Sequence, residues 1–364
     1  MLSRWLEQTI RRYEHRRWTV DNNRRVFPFD WGLEHIGGPR VAPDAAPTTP
    51  PGLVALGAAA AKQQSNGADP RAFLEQFTAQ TIASSDDWYA TTPANDYKLE
   101  DGLLTYSSQI TSPFPENNTV YARFFPAKCS GPAVVVLPQW NAKWDAQVNV
   151  CRWLNTMGIT ALRLSLPYHD RRTVPGHERA DQLVGPNIGL TIQANRQAVT
   201  DVRRAVRWLE QVGYSRIGIL GTSIGSSIGF IALAHEPALR AGAFLHVSTY
   251  FGDVVRTGLT TMHVWEGLRA RVTADEIRRY WAAISPFPYI PRMRGTSQRI
   301  LMVSGKYDPT FWPEFSEQVV GEMRHHGVPH ESLMLPCGHY SLGEAPFKFI
   351  VGGRFAGFLF GALT

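Results

Sequence analysis

From residue 103 onward, short apolar runs alternate with longer stretches of helical period. Residues 103–110 and 119–125 read as strands. The run AVVVL at 133–137 is apolar throughout, as expected of a strand covered on both faces. A helix is predicted near 143–157, a strand at 159–166 and a long loop at 167–189. In 191–212, Val199, Val202, Val206 and Leu209 step by three, four and three, which makes one helical face. Strands at 217–220, 243–247, 300–303 and 332–335 follow, with helices at 224–235, 312–326 and 345–363. Strands separated by helices of this size predict right-handed crossovers and a mostly parallel sheet, an α/β architecture. Residues 250–294 are too long for one crossover and read as a helical, cap-like insert. They carry a capping box, Thr273 with Glu276.

The first 95 residues differ in texture. Residues 2–18 predict an amphipathic helix, with Trp5, Leu6, Ile10 and Tyr13 on one stripe and Arg11, Arg12, Arg16 and Arg17 largely off it. Eight of the sixteen residues 37–52 are Gly or Pro, a loop or wrapped linker, and a helix is predicted near 70–83. The division expected is an N-terminal helical extension and linker at 1–95 and a catalytic body at 96–364.

Composition narrows the function classes. Hydrophobic residues at 44% and charged residues at 19% supply a large core and exclude wholesale disorder. The net charge is +6, and the first 30 residues, with seven Arg and four acids, hold half of it. The rest is spread too thinly for a nucleic-acid footprint, so no nucleic-acid partner is expected. Cys129, Cys151 and Cys337 lie far apart without a CxxC, which fits a reduced, cytoplasmic compartment. The N-terminus has no secretory apolar core, and no run is long enough to span a membrane.

The chemistry concentrates at Ile217-Gly-Ile-Leu-Gly-Thr-Ser-Ile-Gly225, a GxSxG set between a strand and a helix. The turn must be sharp, and glycines at 221 and 225 remove Cβ atoms where chains crowd. Ser223 is the candidate nucleophile. A serine hydroxyl needs a base, and His339 in LPCGHY follows the final strand and precedes the final helix. Asp308, in ILMVSGKYD, follows the preceding strand and can orient the histidine, with Asp253 as a competitor. Each of the three ends a different strand, so they can meet at one edge of a parallel sheet. His169, Asp170, His177 and Glu178 have no standard metal-site spacing, and no metal is expected. Asn117-Asn118-Thr119 matches a glycosylation sequon.

Ser223, Asp308 and His339, in that order on these elements, resemble the α/β-hydrolase superfamily over residues 100–364, in its dienelactone-hydrolase-like and acyl-esterase branch. Ser at 223 excludes the form with a cysteine nucleophile. The resemblance implies a catalytic triad, a small-molecule carboxylic ester substrate and no cofactor. It also implies an oxyanion hole. One donor is the backbone N–H of Ile224. The other comes from the loop Pro138-Gln-Trp-Asn-Ala142, which departs from the HG and HGGG patterns of many lipases and esterases. Gln139 and Trp140 are candidates there through the backbone, since Pro138 has no N–H, and Asn141 through its side chain. Asn141, His169, Arg171 and Trp265 are the candidates for substrate contact. Arg171 and Arg172 fit an acidic substrate group or, more simply, salt bridges to acids. The same machinery also serves an acyltransferase, a peptidase or, stripped of turnover, a binding protein. The missing blade repeats weigh against the peptidase class that carries a propeller. Oligomeric state is not specified by the sequence.

Overall fold

The computed structural model describes residues 2–20, 23–41, 69–128 and 131–364. Residues 42–52 of the Gly/Pro-rich stretch and Cys129 lie outside them. Nine strands form one sheet: β1 (Lys98–Glu100), β2 (Leu103–Ser107), β3 (Thr119–Phe125), β4 (Ala133–Leu137), β5 (Thr160–Leu164), β6 (Ile217–Thr222), β7 (Leu239–Leu245), β8 (Arg299–Gly305) and β9 (Glu331–Leu335). Their spatial order is β1-β2-β3-β5-β4-β6-β7-β8-β9. The first three strands and the β3–β5 pair are antiparallel, and every pair from β5 to β9 is parallel. Residues 98–100 form a three-residue exposed edge strand with no apolar run to announce it.

The helices are α1 (Leu2–Val20), α2 (Pro70–Ala83), α3 (Ser85–Trp88), α4 (Val148–Thr156), α5 (Ile188–Gln211), α6 (Ile224–His235), α7 (Phe251–Thr257), α8 (Met262–Leu268), α9 (Ala274–Tyr280), α10 (Pro313–His325) and α11 (Phe347–Leu363). Alternation along β4 explains its fully apolar sequence. Ala133, Val135 and Leu137 join a core with residues of α5 and α6, while Val134 and Val136 join a second core with residues of α4 and α11. Val199, Val202, Val206 and Leu209 of α5 are all buried in the first of these. Every crossover in the parallel half is thereby closed by a helix covering one sheet face.

Between β7 and β8 the chain forms α7, α8, α9 and three 3-10 turns. The capping box at the start of α9 is present: Thr273 Oγ1 accepts the Glu276 N–H, and Glu276 accepts the Thr273 N–H. Arg71 of α2 pairs with that Glu276 at 2.8 Å, tying the N-terminal region to this segment. Tyr280, Trp281 and Tyr289 are buried core. No helix among the described residues is long and apolar enough to cross a membrane.

In α1 the buried positions are Ile10 and Glu14, while Trp5 is 65% exposed. The apolar stripe therefore turns inward one step later than its aromatic start suggests, and a carboxylate stands on it. Asn117 is buried and donates to Gln197 Oε1, so a glycan has no access to it.

Candidate active site

The carboxyl ends of parallel strands are where such sheets place ligands, because loops leave there and helix N-termini point back. Ser223 stands between β6 and α6 with φ 56° and ψ −122°. That left-handed region is strained for a residue with a Cβ. The surroundings hold it: Ser223 N–H donates to the Leu245 carbonyl at 2.8 Å, and Ser226 N–H to the Ser223 carbonyl at 2.8 Å. Both flanking glycines are required by contact. A Cβ at 221 would lie 2.4 Å from the Gly225 carbonyl oxygen, and one at 225 would lie 2.5 Å from that of Pro138. The end of β4 is thus pressed against the start of α6. This brings the 138–142 loop beside the serine.

Asp308 follows β8 and is buried. Its Oδ1 accepts the N–H groups of Thr310 (2.7 Å) and Phe311 (2.9 Å), which fixes the carboxylate plane. Its Oδ2 lies 3.0 Å from Nδ1 of His339, which follows β9. The Phe311 ring stacks on the His339 ring at 5.7 Å and 2°. Burial alone would raise the Asp308 pKa, but the two imidazoles beside it and their hydrogen bonding hold it well below the carboxylate range. Burial alone would lower His339; the Asp308 charge and hydrogen bond, with a smaller push from Glu14, hold it above the ordinary histidine value. Asp253, the competing acid, is bound by Arg278 at 2.6 and 2.9 Å and does not reach the histidine.

Ser223, Ile224, His339, Gln139, Trp140 and Asn141 line one cavity of about 790 Å³. Its other walls include Leu220, Leu245, Phe251, Val254, Phe311 and Phe355. Ile224 is the first residue of α6, and the N–H of a first helical residue has no partner within its helix. Asn141 N–H is already committed, donating to His169 Nε2 at 2.8 Å, and Asn141 Oδ1 accepts the Ala180 N–H. The Trp140 indole donates to the Ala180 carbonyl at 2.9 Å, and its ring stacks on His263.

Three of the candidate substrate contacts sit elsewhere. His169 is buried and does not line the cavity; burial lowers its pKa to about 4. It accepts from Asn141 through Nε2, so its proton is on Nδ1, beside the Pro167 carbonyl at 2.8 Å. A neutral histidine thus braces the 138–142 loop from behind. Arg171 lies over the rings of Trp144 and Tyr121, outside the cavity lining. Its neighbour Arg172 is fully buried against Asp201 at 2.9 Å. Trp265 packs against the main core instead of the cavity. Asp170 is spent on a buried pair with Arg163 at 2.6 Å.

Two groups at the site carry no motif. His246 follows β7 with φ 63°, and its Nδ1 lies 2.8 Å from Asp308 Oδ2. Its ring is 4.7 Å from that of His339. A histidine one residue past a strand that ends beside the strand of Ser223 is the signal that would have found it. Glu14 of α1 accepts the backbone N–H groups of Tyr340 and Ser341, both at 2.8 Å. An acid four residues after Ile10, on the buried stripe, is the signal there. His246, Asp308 and His339 also form a cluster whose ligand atoms lie within 4.8 Å of one another.

Residues 190–349 match the model of the prolyl oligopeptidase family, which is under half of the chain. No curated protein sequence matches. Among solved structures, the chain is similar to a puromycin-hydrolyzing peptidase of Mycobacterium tuberculosis, with 14% identity and a TM-score of 0.55, over 75% of this chain and 48% of that one. It is similar to acetyl xylan esterase 1 of a Thermoanaerobacterium species, with 12% identity and a TM-score of 0.56, over 80% of this chain and 98% of that one. An acetyl xylan esterase of a Paenibacillus species gives 15% identity and a TM-score of 0.54, over 78% and 93%. The chain spans about half the length of the puromycin-hydrolyzing and acylaminoacyl peptidases it matches and nearly the full length of the acetyl xylan esterases.

Proposed function

From the α/β-hydrolase fold of this chain, with its serine-hydrolase architecture, we propose that the protein hydrolyses carboxylic esters of small molecules through an acyl-enzyme on Ser223. The observation that carries the proposal is the meeting of three strand ends in one cavity: a serine on a strained elbow, and a histidine bonded to a buried carboxylate. Ser223 Oγ attacks the ester carbonyl while His339 Nε2 takes its proton. Asp308 holds the proton of His339 on Nδ1 and stabilises the imidazolium. The Ile224 N–H and a backbone N–H of Gln139 or Trp140 receive the carbonyl oxygen as it gains charge, each donor worth about 3–4 kcal/mol. His339 returns the proton to the departing alcohol, and water then attacks the acyl-enzyme with His339 again as base.

The walls at Leu220, Leu245, Val254 and Phe355 favour an apolar substituent on the ester. Similarity to esterases along nearly their full length supports ester over peptide cleavage. The peptidase reading draws on the family match and on the peptidase likenesses. A fluorophosphonate probe followed by intact mass tests the nucleophile: one adduct is expected on wild type and none on Ser223→Ala. Turnover of p-nitrophenyl esters well above that of peptidyl anilides is expected; the reverse order would favour the peptidase.

A further inference from the structure

Glu14 lies 325 residues before His339, on the helix farthest from it in sequence, yet is 1% exposed against the histidine loop. Its Oε2 accepts from Tyr340 N–H and its Oε1 from Ser341 N–H, both at 2.8 Å. On the other side of His339, a Cβ at Gly338 would fall 2.5 Å from the Glu14 carboxyl carbon and from Oε1. One carboxylate therefore touches the backbone both before and after the histidine. Tyr13, its neighbour, donates to Glu344 Oε1 at 2.8 Å and latches the same helix further along the loop. Burying a carboxylate is costly unless it is well bonded. Two backbone amides supply charge-assisted bonds here.

We propose that Glu14 is a positioning residue for the serine hydrolase reaction: it fixes residues 338–341 so that His339 faces both Asp308 and Ser223, and its charge favours the imidazolium that His339 becomes. The proposal rests on the Ser223–His339–Asp308 reading. Glu14 exchanges no proton; the serine proton moves to His339 Nε2 and back to the leaving group. The charged or titratable groups around His339 are Asp308 from the β8 loop, His246 from the β7 loop, Tyr340 on its own loop and Glu14 from α1. Asp308 and Glu14 both favour the charged imidazole, and burial keeps His246 neutral.

The test is the rate of fluorophosphonate labelling against pH, from about pH 5 to about pH 9 to span the histidine range, with thermal unfolding alongside. The proteins are wild type, Glu14→Gln, Glu14→Asp and, as control, Glu7→Gln, whose partly exposed carboxylate pairs with Arg11 one turn along the helix. Glu14→Gln is expected to lower the maximal rate about tenfold and to move the midpoint of the rising limb down by about 0.5–1 pH unit. Glu14→Asp should bring back the wild-type midpoint, and Glu7→Gln should change neither quantity. A Glu14→Gln protein that only melts earlier, with wild-type rate and midpoint, overturns the proposal. Should Glu14→Gln not fold, Gly338→Ala displaces the carboxylate without removing its charge. It should then slow labelling at an unchanged midpoint, and a wild-type rate would overturn the proposal. Labelling of Ser223→Ala equal to wild type would instead remove the triad reading beneath it.

Discussion

Two imidazoles face the same carboxylate and differ in almost everything else. His339 lines the cavity, is bonded to Asp308 through Nδ1 and has its pKa raised. His246 is 1% exposed, sits at a positive φ, and has its pKa lowered, chiefly by burial. Asp308 can stabilise a positive charge on either ring. At His339 the Asp308 charge and hydrogen bond, with Glu14, outweigh burial, while at His246 burial, with the repulsion of His339, outweighs Asp308, so the charge favours His339. His246 thus stands buried beside the carboxylate that His339 bonds, a difference its short distance to that carboxylate alone would not reveal.

The largest expected effects separate the two rings outright. His339→Ala should abolish probe labelling and ester turnover, and Asp308→Asn should lower kcat about 10⁴-fold by favouring the wrong tautomer. Next comes Gly225→Ala, whose Cβ would press on the Pro138 carbonyl. It should destabilise the fold by about 1–3 kcal/mol and widen the gap between Ser223 and the 138–142 loop, read together by thermal melting and turnover. His246→Asn, chosen because Asn tolerates positive φ, should cost about tenfold in kcat/KM, about 1.4 kcal/mol. A loss as large as that of His339→Ala would break the comparison and make His246 a second base. Asp253→Asn should change stability by about 1 kcal/mol, through the pair its buried carboxylate makes with the partly exposed Arg278. It should leave turnover unchanged.

The pH dependence sharpens the same contrast. In the proposed mechanism His339 must be neutral to take the serine proton, and its pKa lies above the ordinary 6.5. The rising limb of kcat/KM should therefore have its midpoint above pH 6.5. For stability, the raised His339 contributes fully below its unfolded pKa, and this contribution is lost as pH rises through the folded one. The depressed Asp308 contributes above its unfolded pKa, and that contribution is lost as pH falls through the folded one. A kcat/KM limb centred below the ordinary histidine value would point to His246 instead.

Much of this is legible in the sequence. The strand at 133–137 appears with the bounds expected, as do the helix at 224–235 and the capping box at Thr273, because periodicity and local hydrogen bonds set them. The sharp turn at Ser223 was readable because only two glycines allow it. The edge strand at 98–100 was not, since it is exposed and owes its form to pairing with β2. His169 and Arg171 stood in a loop at the right sheet edge, and sequence order gives no sign of which way a loop side chain turns. His169 turned inward to hold the loop at Asn141, and Arg171 lay back on Trp144. Glu14 and His246 were illegible for a related reason: their partners lie far away in the chain, and no short motif marks a tertiary approach. The helix whose arginines carry half the net charge proved to bring a buried acid to the candidate histidine.

The most direct test of the whole account is the site and rate of covalent labelling by a fluorophosphonate, read by peptide mass mapping in wild type, His339→Ala and His246→Asn. The account predicts a single adduct on Ser223 in wild type, its loss in His339→Ala, and its survival at a reduced rate in His246→Asn. An adduct on another residue, or labelling of Ser223 that persists without His339, would contradict it.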